Sequence, residues 1–368
     1  MVLAVPVAPG SAQSDPAAAC EKAQLALMAD SAQRRASDIA EHDSALDRRR
    51  AATKVLLSSA DPEQRAAGLL LAVKQPYSES DCTGIDCNPQ TERHAAETTR
   101  FGSQLAEMAR DTRSPTVYAW ALFACGSLAV SGQPPASCSQ LNVVRWTELA
   151  PTSAWSWLAL AGDARRRADL SGVETAIHRL SLATDWVNPA VPLQRRFAAS
   201  LGGMAADPEQ QQALMSAMGL VTSMTSDMQH LSAYCRPGMD ANRTQLCTRI
   251  AEQFIAQSDS LLQLSMAIQV GERAGLGEVQ LSAARKLREA GLLQFASINS
   301  LAPDNPGERP QAADSRRSSF EGDASTVPAA LIHVACRNRS PQLAFAQRIA
   351  EIGELNAVRE VLTPRARQ

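Results

Sequence analysis

Lysine is nearly missing from this sequence. Only 4 of the 36 basic residues are lysine, the rest being arginine, and 38 acidic residues bring the net charge to −2. That balance excludes the clear basic surplus of a nucleic-acid-binding chain, so no nucleic-acid partner is expected. Together with abundant alanine, the arginine preference reads as the coding bias of a G+C-rich bacterial genome. No apolar run approaches the roughly 18–20 residues that span a bilayer, so no transmembrane segment is expected. No run alternates apolar and polar residues with a period of two, which leaves essentially no β-sheet to expect. A Gly-rich phosphate loop, a Gly-x-Ser-x-Gly elbow and a His-Glu-x-x-His pair are all missing. The five histidines, at 42, 94, 178, 230 and 333, show no ligand spacing. The sequence therefore assigns no catalytic residue, cofactor or metal site, and an enzyme is the less favoured reading.

Cysteine is what the chain does have. Of eight, six fall into three local pairs: Cys82 with Cys87, Cys125 with Cys138, and Cys235 with Cys247. The second pair brackets the turn Ser131-Gly132-Gln133-Pro134-Pro135, and the third brackets Arg236-Pro237-Gly238. Each of these two pairs puts one thiol near the end of a helix and the other early in the next. Packed helices lie about 8–10 Å apart, so a disulfide fits near the turn. Closing a loop of that size contributes about 3 kcal/mol in the chain-entropy model. Disulfides at all three pairs imply an oxidising compartment. Zinc at Cys82, Cys87 and His94 is the rival, but a structural zinc site commonly takes four ligands from two close pairs, and the second pair is absent.

The N-terminus agrees with export. Val2-Leu3-Ala4-Val5-Pro6-Val7-Ala8 is a short apolar run, and Gly10-Ser11-Ala12 offers small residues for cleavage near Ala12. We read residues 1–14 as the remnant of a signal peptide or a disordered terminus. Cys20 follows three alanines, but Asp15 and Pro16 stand where a lipoprotein signal needs apolar residues. Cys20 and Cys336 are left to pair with each other or to stay free.

Helical signals fill most of the remainder. Asp61-Pro62-Glu63 and Asp207-Pro208-Glu209 are helix starts, with Asp as cap and Pro at the first helical position. Residues 15–112 form an N-terminal helical region and 113–300 a helical-repeat region. The stretch 301–327, with Pro303, Pro306, Gly307, Pro310 and Gly322, is a linker or mobile loop. Short helices close the chain over 328–368. Expected helices in the repeat region include Pro115–Val130, Cys138–Leu149, Ser153–Ala168, Gly172–Trp186, Ala241–Gln257 and Ser260–Ala274. Two more are expected at Val279–Ala290 and Leu292–Ser300.

Within 153–189 lie Trp157, Leu160, Ala161, Ala164 and Ala168, a turn at Asp169–Gly172, then Ala176, Leu180, Ala183 and Pro189. This segment resembles a degenerate tetratricopeptide repeat, with Ala161 and Ala164 where the family's glycine and tyrosine stand. The resemblance implies an all-α chain of antiparallel helix pairs in a right-handed, solenoid-like array. It also implies an extended surface for a protein or peptide partner. The expected function is thus a periplasmic or secreted helical-repeat protein that binds or scaffolds. The alternative is an enzyme or small-molecule binder with a pocket near the Trp120–Trp186 cluster.

Five tryptophans lie at 120, 146, 155, 157 and 186. Residues two apart on a helix point about 200° apart. With Trp157 in the alanine seam, Trp155 faces elsewhere beside Arg166, and these two residues form the candidate interaction surface. Met215, Met218, Met224 and Met228 with His230 invite a copper(I) reading, but the methionines at 218, 224 and 228 fall on one apolar arc and read as core. The triplets Arg48-Arg49-Arg50 and Arg165-Arg166-Arg167 fan around their helices and are expected to be solvated and paired with Asp47, Asp163 or Asp169. We predict that peptide mapping of the non-reduced protein from its own compartment finds 82–87, 125–138 and 235–247 linkages; free thiols at all six positions would overturn the oxidising-compartment reading.

Overall fold

The computed structural model describes residues 46–74, 88–130, 134–201, 228–236, 238–299, 348–349 and 352–362. All but 297–299 belong to one compact unit, Glu41–Ala296 with Ala344–Gln368. Residues 297–299 fall in a second unit, Met1–Ala40 with Ser297–Leu343, which otherwise lies outside the described residues.

The described residues are helical throughout and hold no strand, only an isolated bridge between Ser153 and Asp185. A first helix covers residues 46–57 (α1). It is followed by α2 Pro62–Val73, α3 Asn88–Arg110 and α4 Pro115–Val130. A 3-10 turn, Ala136–Gln140, leads to α5 Val143–Leu149, α6 Ala154–Arg166, α7 Leu170–Leu180 and α8 Ala190–Ser200. Then come α9 Met228–Tyr234, α10 Ala241–Gln257, α11 Leu261–Ala274, α12 Glu278–Asn299 and α13 Glu354–Leu362.

Local chemistry sets most of these boundaries. The Asp61 carboxylate accepts from the Glu63 N–H with Pro62 at the first helical position, as Asp-Pro-Glu implies. Asn142, Asp169, Asp240 and Ser260 cap α5, α7, α10 and α11 in the same way. The Asn142 cap corrects one expectation: Cys138–Leu149 is not one helix, because the chain turns extended at Leu141 and restarts at Val143. Helix α7 likewise ends at Leu180, short of the expected Trp186. Conversely, α12 runs unbroken through Gly291. A Cβ at Gly291 would sit 2.4 Å from Leu261 Cδ2, so this glycine serves close packing rather than a break. Asp207-Pro208-Glu209 and the 301–327 linker lie outside the described residues.

One hydrophobic cluster joins these helices, from Ala52 on α1 to Leu355 on α13. Helix α4, apolar on every side, is covered by α2, α3 and α5. Helix α2 meets α3, α4 and α8, so the packing shows no break near residue 112 between the two regions read from the sequence. Helix α6 packs on α5, α7 and α9, and α11 packs on α10 and α9. No described helix is long and apolar enough to cross a membrane.

Helices α6 and α11 end in the same hydrogen-bond pattern. After α11, the Leu276 and Gly275 N–H groups donate to Gly271 and Glu272 carbonyls, with Gly275 at φ 76°. After α6, Asp169 and Ala168 donate to Ala164 and Arg165 carbonyls, but the left-handed residue is Ala168, at φ 57°. Ala168 is therefore an exposed turn residue, not part of the α6 stripe as the sequence suggests. A Cβ in this conformation costs about 1–2 kcal/mol. We predict that Ala168→Gly raises unfolding free energy by about 1 kcal/mol and that Gly275→Ala lowers it by about the same amount, read from denaturant midpoints.

Candidate functional site

The segment between α7 and α8, residues 184–189, is irregular: Trp186 and Asn188 are buried while Thr184, Asp185 and Val187 are exposed, and its backbone polar groups lack helical partners. They find them across the molecule. Thr184 and Asp185 N–H donate to the Thr152 carbonyl, and Ala154 N–H donates to the Asp185 carbonyl at 2.7 Å. The Trp155 Nε1–H donates to the Trp186 carbonyl at 2.9 Å, and the Trp120 Nε1–H donates to the Pro189 carbonyl at 2.7 Å. Asn188 Oδ1 accepts from the Ala190 N–H, and the Asn188 N–H donates to Asp259 Oδ2 at 2.9 Å.

This arrangement corrects the expectation for Trp155. Its indole is 5% exposed and packs edge-on to Phe254, with centroids 6.5 Å apart, while Trp186 lies 4.9 Å from the same ring. A buried indole needs an acceptor for its N–H, and the Trp186 carbonyl supplies one. Helix α6 is buried over a broad arc that takes in Trp155, Leu158 and Ala159 as well as Ala161 and Ala164. Trp157 is the half-buried member of the pair and donates to the Pro151 carbonyl. Trp155 is therefore no exposed anchor. Arg166 does stand at the surface, its side chain 55% exposed and 3.7 Å from Asp163, but the structure does not bring it together with Trp155 on one open face. In the segment that resembles a repeat, Ala161, Ala164, Ala176, Leu180 and Ala183 are buried.

Two of the expected staples are present. Cys125 in α4 is bonded to Cys138 in the 3-10 turn, and Cys235 just after α9 is bonded to Cys247 in α10. Cys82 and Cys87 lie outside the described residues, as do Cys20 and Cys336. Beside the second staple, Glu174 accepts from both Tyr234 and Arg243, and the Arg243 guanidinium lies over the Tyr234 ring. Burial and the Glu174 carboxylate push the Tyr234 hydroxyl above its ordinary range.

The charged triplets divide. Asp163 pairs with Arg167 at 2.9 Å, and Asp47 pairs with Arg50 at 3.2 Å. Arg49, expected to be solvated, is instead 3% exposed; it donates to the Lys74 carbonyl, and burial pushes its pKa down to about 10. Met228 is buried in the core, while Met215, Met218 and Met224 lie outside the described residues.

The polar cluster that sequence reasoning missed gathers at the α10–α11 junction. Asp259 Oδ2 holds the Asn188 N–H, the Asp259 N–H donates to Gln263 Oε1 at 3.1 Å, and the Asp259 carbonyl accepts from Leu355 at the start of α13. Glu354, the first residue of α13, is half-buried beside Leu355. Three atoms here lie out of solvent without a protein partner: Asp259 Oδ1, Asn188 Nδ2 and Gln263 Nε2. The amide orientations are set by Oδ1 and Oε1, which accept from backbone N–H groups. Burial raises Asp259 to about 6 and Glu354 to about 7, the latter helped by the Asp259 charge. These two carboxyls can take up or release protons near neutrality. No local motif marks the cluster, since its members are separated by 71 residues or more on two of its three links. Among the described residues no group of three or more His, Cys, Asp or Glu is placed to hold a metal. In comparison with known proteins, no family model, no curated protein and no solved structure matches the chain.

Burial assigns unequal costs to the two neighbouring tryptophans. Trp155→Ala should lose roughly 3–5 kcal/mol by opening a cavity and leaving the Trp186 carbonyl unpaired, whereas Trp157→Ala should lose about 1–2 kcal/mol. Equal shifts in two denaturant melts would contradict the assignment of the core face.

Proposed function

We propose that this chain is a non-enzymatic helical-repeat protein of the bacterial periplasm or the secreted space, and that it works by binding or scaffolding a protein or peptide. The observation that carries the reading is the pair of disulfides, each tying a helix to a segment 12 or 13 residues away in sequence. Such staples form and persist where thiols are oxidised. The all-helical body supports an antiparallel, solenoid-like array of tetratricopeptide-like pairs, an architecture whose use is extended surface rather than a deep pocket. Surface aliphatics around α7 support the binding role: Leu170 is 77% exposed and Val187 is 52% exposed. Exposed Arg166 lies four residues before Leu170.

A second reading, a small-molecule binder near the Trp120–Trp186 cluster, is favoured by one observation: the unpartnered buried atoms of Asp259, Asn188 and Gln263. The two readings separate by experiment. For the binding protein, crosslinking in intact cells captures a discrete partner from the envelope or exterior, and Leu170→Asp weakens capture by about tenfold while thermal stability stays within about 1 kcal/mol of the parent. Residence in the cytoplasm with reduced thiols would overturn it. Capture unaffected by Leu170→Asp, together with ligand-dependent quenching of the buried tryptophans, would favour the second reading instead.

A further inference from the structure

We propose that the Cys125–Cys138 staple is a thiol-exchange site, at which an external thiolate attacks Cys138 while the Cys235–Cys247 staple stays closed. The inference stands on the unequal burial of the two bonds and goes beyond the binding role proposed above. In sequence the two pairs are alike, 13 and 12 residues apart, so the fold alone makes them differ. Cys235 and Cys247 are both 0% exposed and belong to the apolar cluster. Met239 Sδ lies 3.8 Å from Cys247 Sγ, and Glu174 ties Tyr234 and Arg243 together beside the bond. A thiolate reaches these sulfurs only once the packing of α9 and α10 opens.

The first staple has a covered side and an open side. Cys125 is 8% exposed and stands outside the cluster, although Ala124 and Leu128 belong to it. Gly126, next in α4, is exposed, and a Cβ there would meet nothing within 4 Å. Cys138 is half-buried in a 3-10 turn of five residues, none of them buried. Access decides which sulfur of a disulfide is attacked, so Cys138 receives the thiolate and Cys125 departs.

In that step the incoming sulfur bonds to Cys138 Sγ as the S–S bond breaks, and the electron pair leaves on Cys125, which takes a proton from water. The products are a mixed disulfide at Cys138 and a thiol at Cys125. With a dithiol, the reagent's second thiolate attacks its own sulfur in the mixed disulfide and expels Cys138. The protein is then reduced to two thiols and the reagent is oxidised to a cyclic disulfide. Other bonds keep the turn in place. The Ser103 and Ser137 hydroxyls bond at 3.0 Å, and the Tyr118 hydroxyl holds both the N–H and the carbonyl of Asn142. Within the turn, Cys138 N–H donates to the Pro135 carbonyl and Leu141 N–H to the Cys138 carbonyl. None of these bonds uses a sulfur, so the staple opens without loss of the core and closes again on reoxidation.

Timed reduction of the native full-length protein tests this. The protein is treated with about 1 mM dithiothreitol at about pH 8, quenched with acid at intervals, alkylated in denaturant and mapped cysteine by cysteine. Cys125 and Cys138 should be labelled together and at least about tenfold faster than Cys235 and Cys247. Urea at about half the unfolding midpoint should leave that rate unchanged, because the reaction does not pass through the unfolded chain. Glutathione, a monothiol, should leave its adduct on Cys138 at least about threefold more often than on Cys125. Equal labelling of the two staples, no labelling of Cys125 and Cys138 in the folded protein, or a rate that climbs with urea alongside global unfolding would overturn the exchange site. An adduct chiefly on Cys125 would overturn Cys138 as the attacked sulfur.

Discussion

The fold depends on tying down one irregular connector, residues 184–189, which carries Trp186 and Asn188 into the core. A helix meets its own hydrogen-bonding needs, but a connector in the core cannot, and each unpaired group there costs roughly 1–3 kcal/mol. Here α4 sends Trp120, α6 sends Trp155, the turn before α6 sends the Thr152 carbonyl, and the α10–α11 junction sends Asp259. Four separate parts of the chain meet at the connector. The same bonds orient the two indoles, so apolar packing around Phe254 and polar closure of the connector form together. The apolar cluster that surrounds the connector continues from Ala52 on α1 to Leu355 on α13.

Against that long-range requirement, the disulfides and caps act locally. Cys125–Cys138 and Cys235–Cys247 each close a short loop, restricting the unfolded chain more than they shape the core. The Tyr118 hydroxyl reinforces the first staple by bonding both the N–H and the carbonyl of Asn142, which in turn caps α5. Around the second staple, Glu174 ties α7 to α9 and α10 through Tyr234 and Arg243. Covalent and ionic ties thus sit near the turns, the second staple with both of its cysteines fully buried in the apolar cluster.

What was legible in the sequence follows this division. Helix starts at Asp61 and Asp240, the extent of α10 and the two staples rest on neighbours within about a dozen residues, and they can be read from spacing. The phase of α6 could not. Trp155 and Trp157 are equally apolar, and the alanines run round the helix, so the core-facing indole is chosen by an acceptor, the Trp186 carbonyl, 31 residues away. Gly291 looked like a break because its reason, the Leu261 side chain, is remote. Ala168 looked like a helix residue because alanine carries no sign of a left-handed turn. The Asp259 cluster was invisible for the same reason: Asn188, Asp259 and Glu354 bear no common spacing, and only the fold assembles them.

A carboxyl group at position 259 then follows from what the connector asks of it. The Asn188 N–H needs an acceptor inside the protein, and one carboxylate oxygen supplies it. The second oxygen has no protein donor, and burial opposes ionisation there, while the bonds from Asn188 and Gln263 and the Arg195 charge favour it. Protonation relieves the charge without removing the acceptor that Asn188 uses. The residue that completes the connector is therefore one whose ionisation is set by a balance between lost solvation and the donors that hold it.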